Sequence, residues 1–286
     1  MYAYGYNLVY TDELKKAKKN TYQIKRDDSF DFDTTQILYL NNNQYRKVSI
    51  TSDKSFDNLQ KNQKIFFDVQ DVVTFWANIS SDIIYYKLHK NGTHELVNYW
   101  LTHTFLPILL TIENKYYYIH GGAVNIEDKA VLFIANSFGG KSTLTDFFIK
   151  KNHTMISDDK VATYLDEDKV IAVPSYPYHR PYRKVEDLGL YTQNFQERTS
   201  EINSIYNLIK SPQNSEINIS EIKGIEKFTA LRYATDIDLR VNTQSRFDKL
   251  STIANKLKVY NIIIPWDKNR LEEVYKSIIS HQKETK

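Results

Sequence analysis

An apolar run that stops at a Gly-Gly-Lys-Ser turn and restarts as a helix leaves a chain few folds to choose from. Residues 130–159, AVLFIANSFGGKSTLTDFFIKKNHTMISDD, have that layout. Residues 130–135 read as a strand and residues 136–140 as turn chemistry, and Leu144, Phe147 and Phe148 recur at helical spacing over residues 142–151. A helix start leaves its first amide donors unpaired and carries partial positive charge, so the turn suits an anion, to which Lys141 adds a full charge. The match to GxxxxGK[ST] departs at its first position, where Ala135 stands in place of glycine. The positions expected to contact a nucleotide are Asn136, Ser137, Phe138, Gly139, Gly140, Lys141, Ser142 and Thr143, with Ser142 placed to meet magnesium. A plainer reading makes Gly139 and Gly140 a helix-entry turn and Lys141 a solvated charge. Asp158 and Asp159, which close the next apolar strand at residues 154–157, favour the nucleotide.

Whole-chain properties narrow the partners. With 286 residues, 38 Lys plus Arg and 35 Asp plus Glu, the net charge is only +3 and the charges are mixed, which gives no warrant for nucleic acid. The absence of cysteine excludes disulfides, thiolate zinc sites and a cysteine nucleophile. The opening MYAYGYNLVYTDELKK has no charged segment followed by an apolar one, and no run reaches membrane-spanning length. The expectation is a cytoplasmic chain without a membrane partner.

Three stretches follow from texture. Residues 1–92 carry short runs rich in Tyr, Phe, Val and Ile, such as 64–69, 72–79 and 83–88, and predict a small β-rich domain with an antiparallel sheet. Residues 93–114 predict a connecting helix, with Thr93 as its cap, Glu95 in its first turn and Pro107 bending or restarting it. Residues 115–286 predict an α/β domain with a mixed sheet: strands at 116–119, 123–126, 130–135, 154–157, 161–165 and 169–173, with a hairpin turn at Asp166, Glu167 and Asp168. Residues 185–257 look mainly helical, a last strand covers 259–264, and Asp267 caps a terminal helix.

His120-Gly121-Gly122-Ala123-Val124, then ANSFGGKST, then KNHTMISDDKVATY together resemble the HPr kinase/phosphorylase superfamily, in which a His-Gly strand precedes the loop and an Asp-Asp pair follows it. The opening YAYGYNLVYTDEL, the helix before YYYIHGGAV, and VPSYPYHRPY look most like the HPr-kinase-like proteins of peptide natural-product clusters, such as lasso-peptide kinases. The likeness spans nearly the whole chain; the loop and the Asp pair are its specific part, and Ala135 and Phe138 depart from it. It implies a P-loop HPr-kinase-like mixed-sheet core behind the small N-terminal domain, and a kinase using ATP and Mg2+. By this resemblance Lys141 contacts the β and γ phosphates, Ser142 and Asp158 hold magnesium, Asp159 accepts the proton of the acceptor hydroxyl, and His120 lies near the transferring phosphoryl group. The namesake enzymes assemble, so a homo-oligomer stays open.

The chemistry agrees with those roles, because phosphoryl transfer needs positioned positive charge and a carboxylate to take the nucleophile's proton. Adjacent carboxylates at a strand end point in divergent directions, so the two aspartates can divide these tasks, and the opposite division stays open. Arg180 and Arg183, in a proline-rich segment expected to line an acceptor groove, and Arg232 are candidates to bind the substrate; pairing of Arg180 with a carboxylate is the other reading. His120 can equally be a hydrogen-bonded strand-end histidine, and His153 reads as structural. The leading acceptor is a serine of a ribosomally made precursor peptide or small protein. A small-molecule hydroxyl, an HPr-type carrier protein, or a degenerate loop serving a peptide-binding module are the alternatives.

Overall fold

The computed structural model describes residues 1–30, 36–42, 46–182 and 184–285. The chain forms two compact units, the first made of Met1–Tyr116, Lys184–Leu188 and Ile237–Ser245, the second of Tyr117–Arg183, Gly189–Asp236 and Arg246–Lys286. The helical stretch after residue 93 therefore belongs to the first unit, and two later segments return to that unit.

In the first unit, strands β1 (Tyr2–Ala3), β2 (Tyr6–Tyr10), β3 (Thr21–Arg26), β4 (Gln36–Asn42), β5 (Lys47–Ser52), β6 (Lys64–Val69), β7 (Val73–Asn78) and β8 (Ile83–Leu88) form one sheet in the order β1-β2-β3-β8-β7-β6-β5-β4. The expected antiparallel sheet is in fact mixed, since β3 runs parallel to both β2 and β8. Parallel pairing needs a crossover, here residues 11–20, and β3 escapes sequence patterning because TYQIKR is mostly polar. Its buried Gln23 donates to the Lys15 carbonyl at 2.7 Å and accepts from the Lys15 amide at 2.8 Å, so a polar core residue pins the crossover. Helix α1 (His94–Trp100) is capped by Thr93, and α2 (Leu106–Ile112) carries Pro107 in its first turn. Between them Leu101–Phe105 widens into a π turn.

The second unit is a three-layer arrangement. Its sheet contains β9 (Tyr117–Ile126), β10 (Lys129–Ile134), β11 (Met155–Ser157), β12 (Lys160–Asp166), β13 (Lys169–Val173), β16 (Ser200–Ser211), β17 (Ile219–Ile222) and β18 (Lys258–Pro265), in the order β10-β9-β12-β13-β16-β18-β17, with β10 also beside β16. Strands β10, β16 and β18 are parallel neighbours. A two-stranded ribbon, β14 (Tyr178–His179) with β15 (Leu190–Tyr191), lies apart from the sheet. One face of the sheet takes Leu144 and Phe148 of α3 (Lys141–Lys150) and Val274 and Ile278 of α6 (Leu271–Glu284). The other face takes Leu231 of α4 (Gly224–Tyr233) and Leu250, Ile253 and Ala254 of α5 (Thr243–Lys256). Val131 and Phe133 serve the first face and Ala130, Leu132 and Ile134 the second, which is why β10 reads as an unbroken apolar run.

Two expectations for this second unit need correction. The strands expected at 116–119 and 123–126 are one strand, β9, running straight through Gly121 and Gly122. Residues 185–257 are not mainly helical, because β16 and β17 fall within them. In β16, Ala130 pairs with Ile202 and Val131 with Ser204, so Asn203 is an extra residue at a bulge. The bulge breaks the two-residue alternation, and Ile202, Ile205, Tyr206 and Ile209 then fall at helix-like intervals.

Candidate active site

The loop after β10 is shaped by two glycines for different reasons. A Cβ on Gly139 would lie 2.5 Å from the Ala135 Cβ, so close approach demands glycine there. Gly140 has φ +90°, a left-handed conformation, and caps α3 without a side chain to bond the first-turn amides. Phe138 also has positive φ, at 61°, and is 76 % exposed. The Lys141 side chain is buried and folds back over the loop, with Nζ donating to the carbonyls of Ala135 at 2.9 Å and Asn136 at 3.4 Å. Ser142 and Thr143 follow in the first turn of α3, half-buried.

The glycine pair in β9 explains how this helix reaches the sheet. A Cβ on Gly122 would lie 2.0 Å from Thr145 Oγ1 of α3, and one on Gly121 would lie 2.7 Å from the Phe133 carbonyl oxygen. Register then carries the acidic corner to the same place. Ser157 pairs with Ala123 and Lys160 with His120, so Asp158 and Asp159 turn the chain beside Gly121, whose amide donates to the Asp159 carbonyl at 3.0 Å. Gly121 is also the register partner of Ile134, the last residue before the loop. The loop entry and the Asp pair thus flank one residue of β9, two strand spacings or about 10 Å apart.

At that corner the side chains form an alternating chain of charge. Asp158 is buried; its Oδ2 accepts from the Arg180 backbone amide at 2.6 Å, and its Oδ1 has no hydrogen-bond partner among the described residues. Burial pushes its carboxyl up to about 6, and the neighbouring charge of Asp159 acts in the same direction. Asp159, with 23 % of its side chain exposed, accepts from Arg180 Nη2 at 2.8 Å and has Oδ1 3.6 Å from His120 Nδ1. That same Nδ1 lies 3.5 Å from Asp236 Oδ1, and Asp236 Oδ2 accepts from Lys160 Nζ at 2.6 Å. Burial alone would raise the Asp236 carboxyl, but the Lys160 ammonium and the His120 contact hold it below the usual range. Burial likewise works against the Lys160 charge and is overcome by Asp236 and Asp159. Asp236 is kept in place by backbone: its amide donates to the Tyr118 carbonyl at 3.0 Å, the His120 amide donates to Ala234 at 2.6 Å, and Thr235 bridges Ile119.

The structure therefore brings His120, Asp158, Asp159 and Arg180 together. Arg180 is engaged with the Asp pair through both backbone and side chain. Arg232 lies exposed in the last turn of α4, and Arg183 lies outside the described residues. His153 spends both ring nitrogens on structure, Nδ1 with the Asn125 carbonyl at 3.2 Å and Nε2 with the Tyr275 hydroxyl at 3.1 Å. Sequence reading misses Asp236 and Lys160. Lys160 follows the Asp pair directly, a signal that could have found it; Asp236 is 76 residues further on, in a helix exit with no motif. It also misses His179, whose Nε2 meets Asp146 Oδ1 of α3 at 3.1 Å and so ties the helix to the segment bearing Arg180. Among the described residues no group of three or more His, Cys, Asp or Glu could hold a metal ion, so a cation here would draw on Asp158, a hydroxyl such as Ser142, and ligand oxygens. No helix in the described residues is long and apolar enough to cross a membrane.

No family model matches the chain, and no curated protein matches it. Among solved structures, it is similar to the HPr(Ser) kinase/phosphatase from Coxiella burnetii, at 14 % identity and a TM-score of 0.37, over 58 % of this chain and 97 % of that one.

Proposed function

We propose that this chain is an ATP- and magnesium-dependent kinase that phosphorylates a hydroxyl, with a serine of a ribosomally made precursor peptide or small protein as acceptor. The observation that carries the reading is the buried, unpartnered Asp158 Oδ1 at a corner that shares its β9 neighbour, Gly121, with the entry to a Gly-Gly-Lys-Ser loop. An ionisable oxygen left without a partner in the interior is costly unless a ligand completes it. The donor set suits magnesium and phosphate: one carboxylate oxygen, the Ser142 hydroxyl, the open start of α3 and the Lys141 ammonium. The loop also lies where β10 ends, with parallel β16 and β18 beside it, which is where open α/β sheets place their ligands.

Each residue then has a task that its surroundings support. Lys141, now resting on the loop carbonyls, is placed to exchange them for phosphate oxygens. Asp158 is buried and Asp159 is partly exposed, which supports the cation for the first and the acceptor's proton for the second. Arg180 must loosen its hold on Asp159 Oδ2 as the acceptor arrives, and its guanidinium can then turn to an acceptor anion. His120 sits between Asp159 and Asp236, where its ring separates the two carboxylates. Magnesium, when bound, neutralises charge on the phosphates and aligns the transferring group. Exposed Tyr182, Leu190 and Tyr191 near Arg180 offer a peptide an apolar surface.

The test is transfer of label from γ-labelled ATP, with magnesium, to a serine-containing peptide, an HPr-type carrier protein and free serine. Labelled peptide is expected. Label confined to free serine or the carrier would move the substrate class, and no label in any acceptor would remove the kinase reading.

A further inference from the structure

The carboxylates and the transferable phosphate must share one end of a bound nucleotide, so the base must lie at the other. In the second unit the acidic corner is on the β9 and β12 side of the loop. The opposite side is formed by the ends of β16 and β18, and there an indole stands beside the loop. Trp266 directly follows β18, is 42 % exposed, and approaches within 3.4 Å of where a Cβ on Gly140 would sit. Its placement is firm: its amide donates to the Ser211 carbonyl at 3.0 Å, Ser211 Oγ donates to the Ile264 carbonyl at 2.9 Å, and Asp267 caps the turn that follows. Lys210, at the end of β16, lays its ammonium 3.9 Å from the ring centroid. Lys210 has no carboxylate partner among the described residues, so it is a displaceable cation beside the phosphate loop. The indole is thus 42 % exposed, pinned by backbone on both sides, and carries the Lys210 ammonium over its ring.

We propose, resting on the nucleotide reading above, that Trp266 is the wall on which the base of the bound nucleotide stacks, with the Lys210 ammonium that lies over the ring as the cation it displaces or shares. The ligand class is a nucleoside triphosphate lying from the acidic corner across Gly140 toward the β16 and β18 ends. Aromatic stacking accepts any base, so this wall supplies affinity with little choice among purines.

The experiment is titration of MgATP and of magnesium tripolyphosphate, which lacks a base, into the wild-type chain and into Trp266→Ala and Trp266→Phe. Trp266→Ala is expected to weaken ATP about tenfold, the scale of one base stack, while tripolyphosphate affinity stays within about twofold and Trp266→Phe keeps most of the ATP affinity. Fluorescence provides a readout on the unmutated protein. Trp76 and Trp100 are buried in the first unit and Trp266 is the exposed indole, so ATP should quench emission and tripolyphosphate should not. Equal weakening of both ligands in Trp266→Ala, unchanged ATP affinity in that variant, or bound ATP without quenching would overturn the base wall and leave the phosphate site standing. A wild-type chain that binds neither ligand would overturn both.

Discussion

The two flanks of β9 are built in opposite ways. On one flank, Ala135, Gly139, Gly140, Lys141 and Ser142 are consecutive or nearly so, and backbone does most of the work: a close approach, a left-handed glycine, an open helix start. On the other, His120, Asp158, Asp159, Lys160, Arg180 and Asp236 come from four separate stretches, and side-chain charge does the work. A cradle for phosphate can be written into a few adjacent residues, because it needs amides and one cation. A site that handles protons needs charges of both signs held against each other inside the protein, and only tertiary structure collects them.

The contrast is most exposed to disproof on the loop flank. If the cradle binds phosphate, Lys141→Ala removes the thermal stabilisation that MgATP gives the wild type. At ligand concentrations about a thousandfold above Kd that stabilisation is about 4 kcal/mol. Equal melting shifts in the two proteins would mean that the loop is only a helix entry.

The acidic flank makes a pH-dependent claim. The Asp158 carboxyl is raised from 3.8 to about 6 by burial, so the folded state holds its proton more tightly than the unfolded chain does. Stability from this group is complete below the unfolded value near 3.8 and is lost as pH rises through about 6. Asp158→Asn has no such loss. Between about pH 4 and pH 7 the wild type should therefore fall by about 3 kcal/mol relative to Asp158→Asn in denaturant melts without nucleotide. Parallel curves would show that the carboxylate is better satisfied than its unpartnered oxygen implies.

The joint between the flanks is Gly122. Gly122→Ala should cost about 1 to 3 kcal/mol through overpacking against Thr145 Oγ1, and Thr145→Ala should recover part of that in the double variant. Strictly additive losses would mean the two residues do not meet. The smallest effect belongs to Phe138: Phe138→Gly should raise stability by about 0.5 to 1 kcal/mol, because a left-handed backbone strains a β-carbon and glycine relieves it. Destabilisation there would show that the phenyl ring packs more than its 76 % exposure indicates.

The same contrast between local and collected chemistry governs how much of the molecule is legible in its sequence. The strand, loop and helix of residues 130–150 are legible because each rests on local chemistry: two-sided burial of β10, the glycine turn, the helical spacing of Leu144 and Phe148. The Asp pair and His120 are legible through their neighbours. Asp236 is not, since what gives it a role is the pairing of residues 234–236 against β9, a contact that no window of sequence contains. The long β16 passes for helix because a bulge disguises its period, and β3 escapes notice because its buried polar Gln23 is satisfied by the backbone of Lys15 in the crossover before it. In both cases a tertiary arrangement outweighs a local pattern.

If the two flanks form a single site, one holds phosphate while the other takes a proton. Asp159→Asn tests this union most directly, with MgATP affinity and phosphoryl transfer to a serine peptide measured on the same samples. ATP affinity should stay within about twofold of wild type while transfer falls by about 100-fold or more, the scale of losing a general base. Transfer that survives in Asp159→Asn, or that falls only in step with ATP affinity, would contradict a shared site.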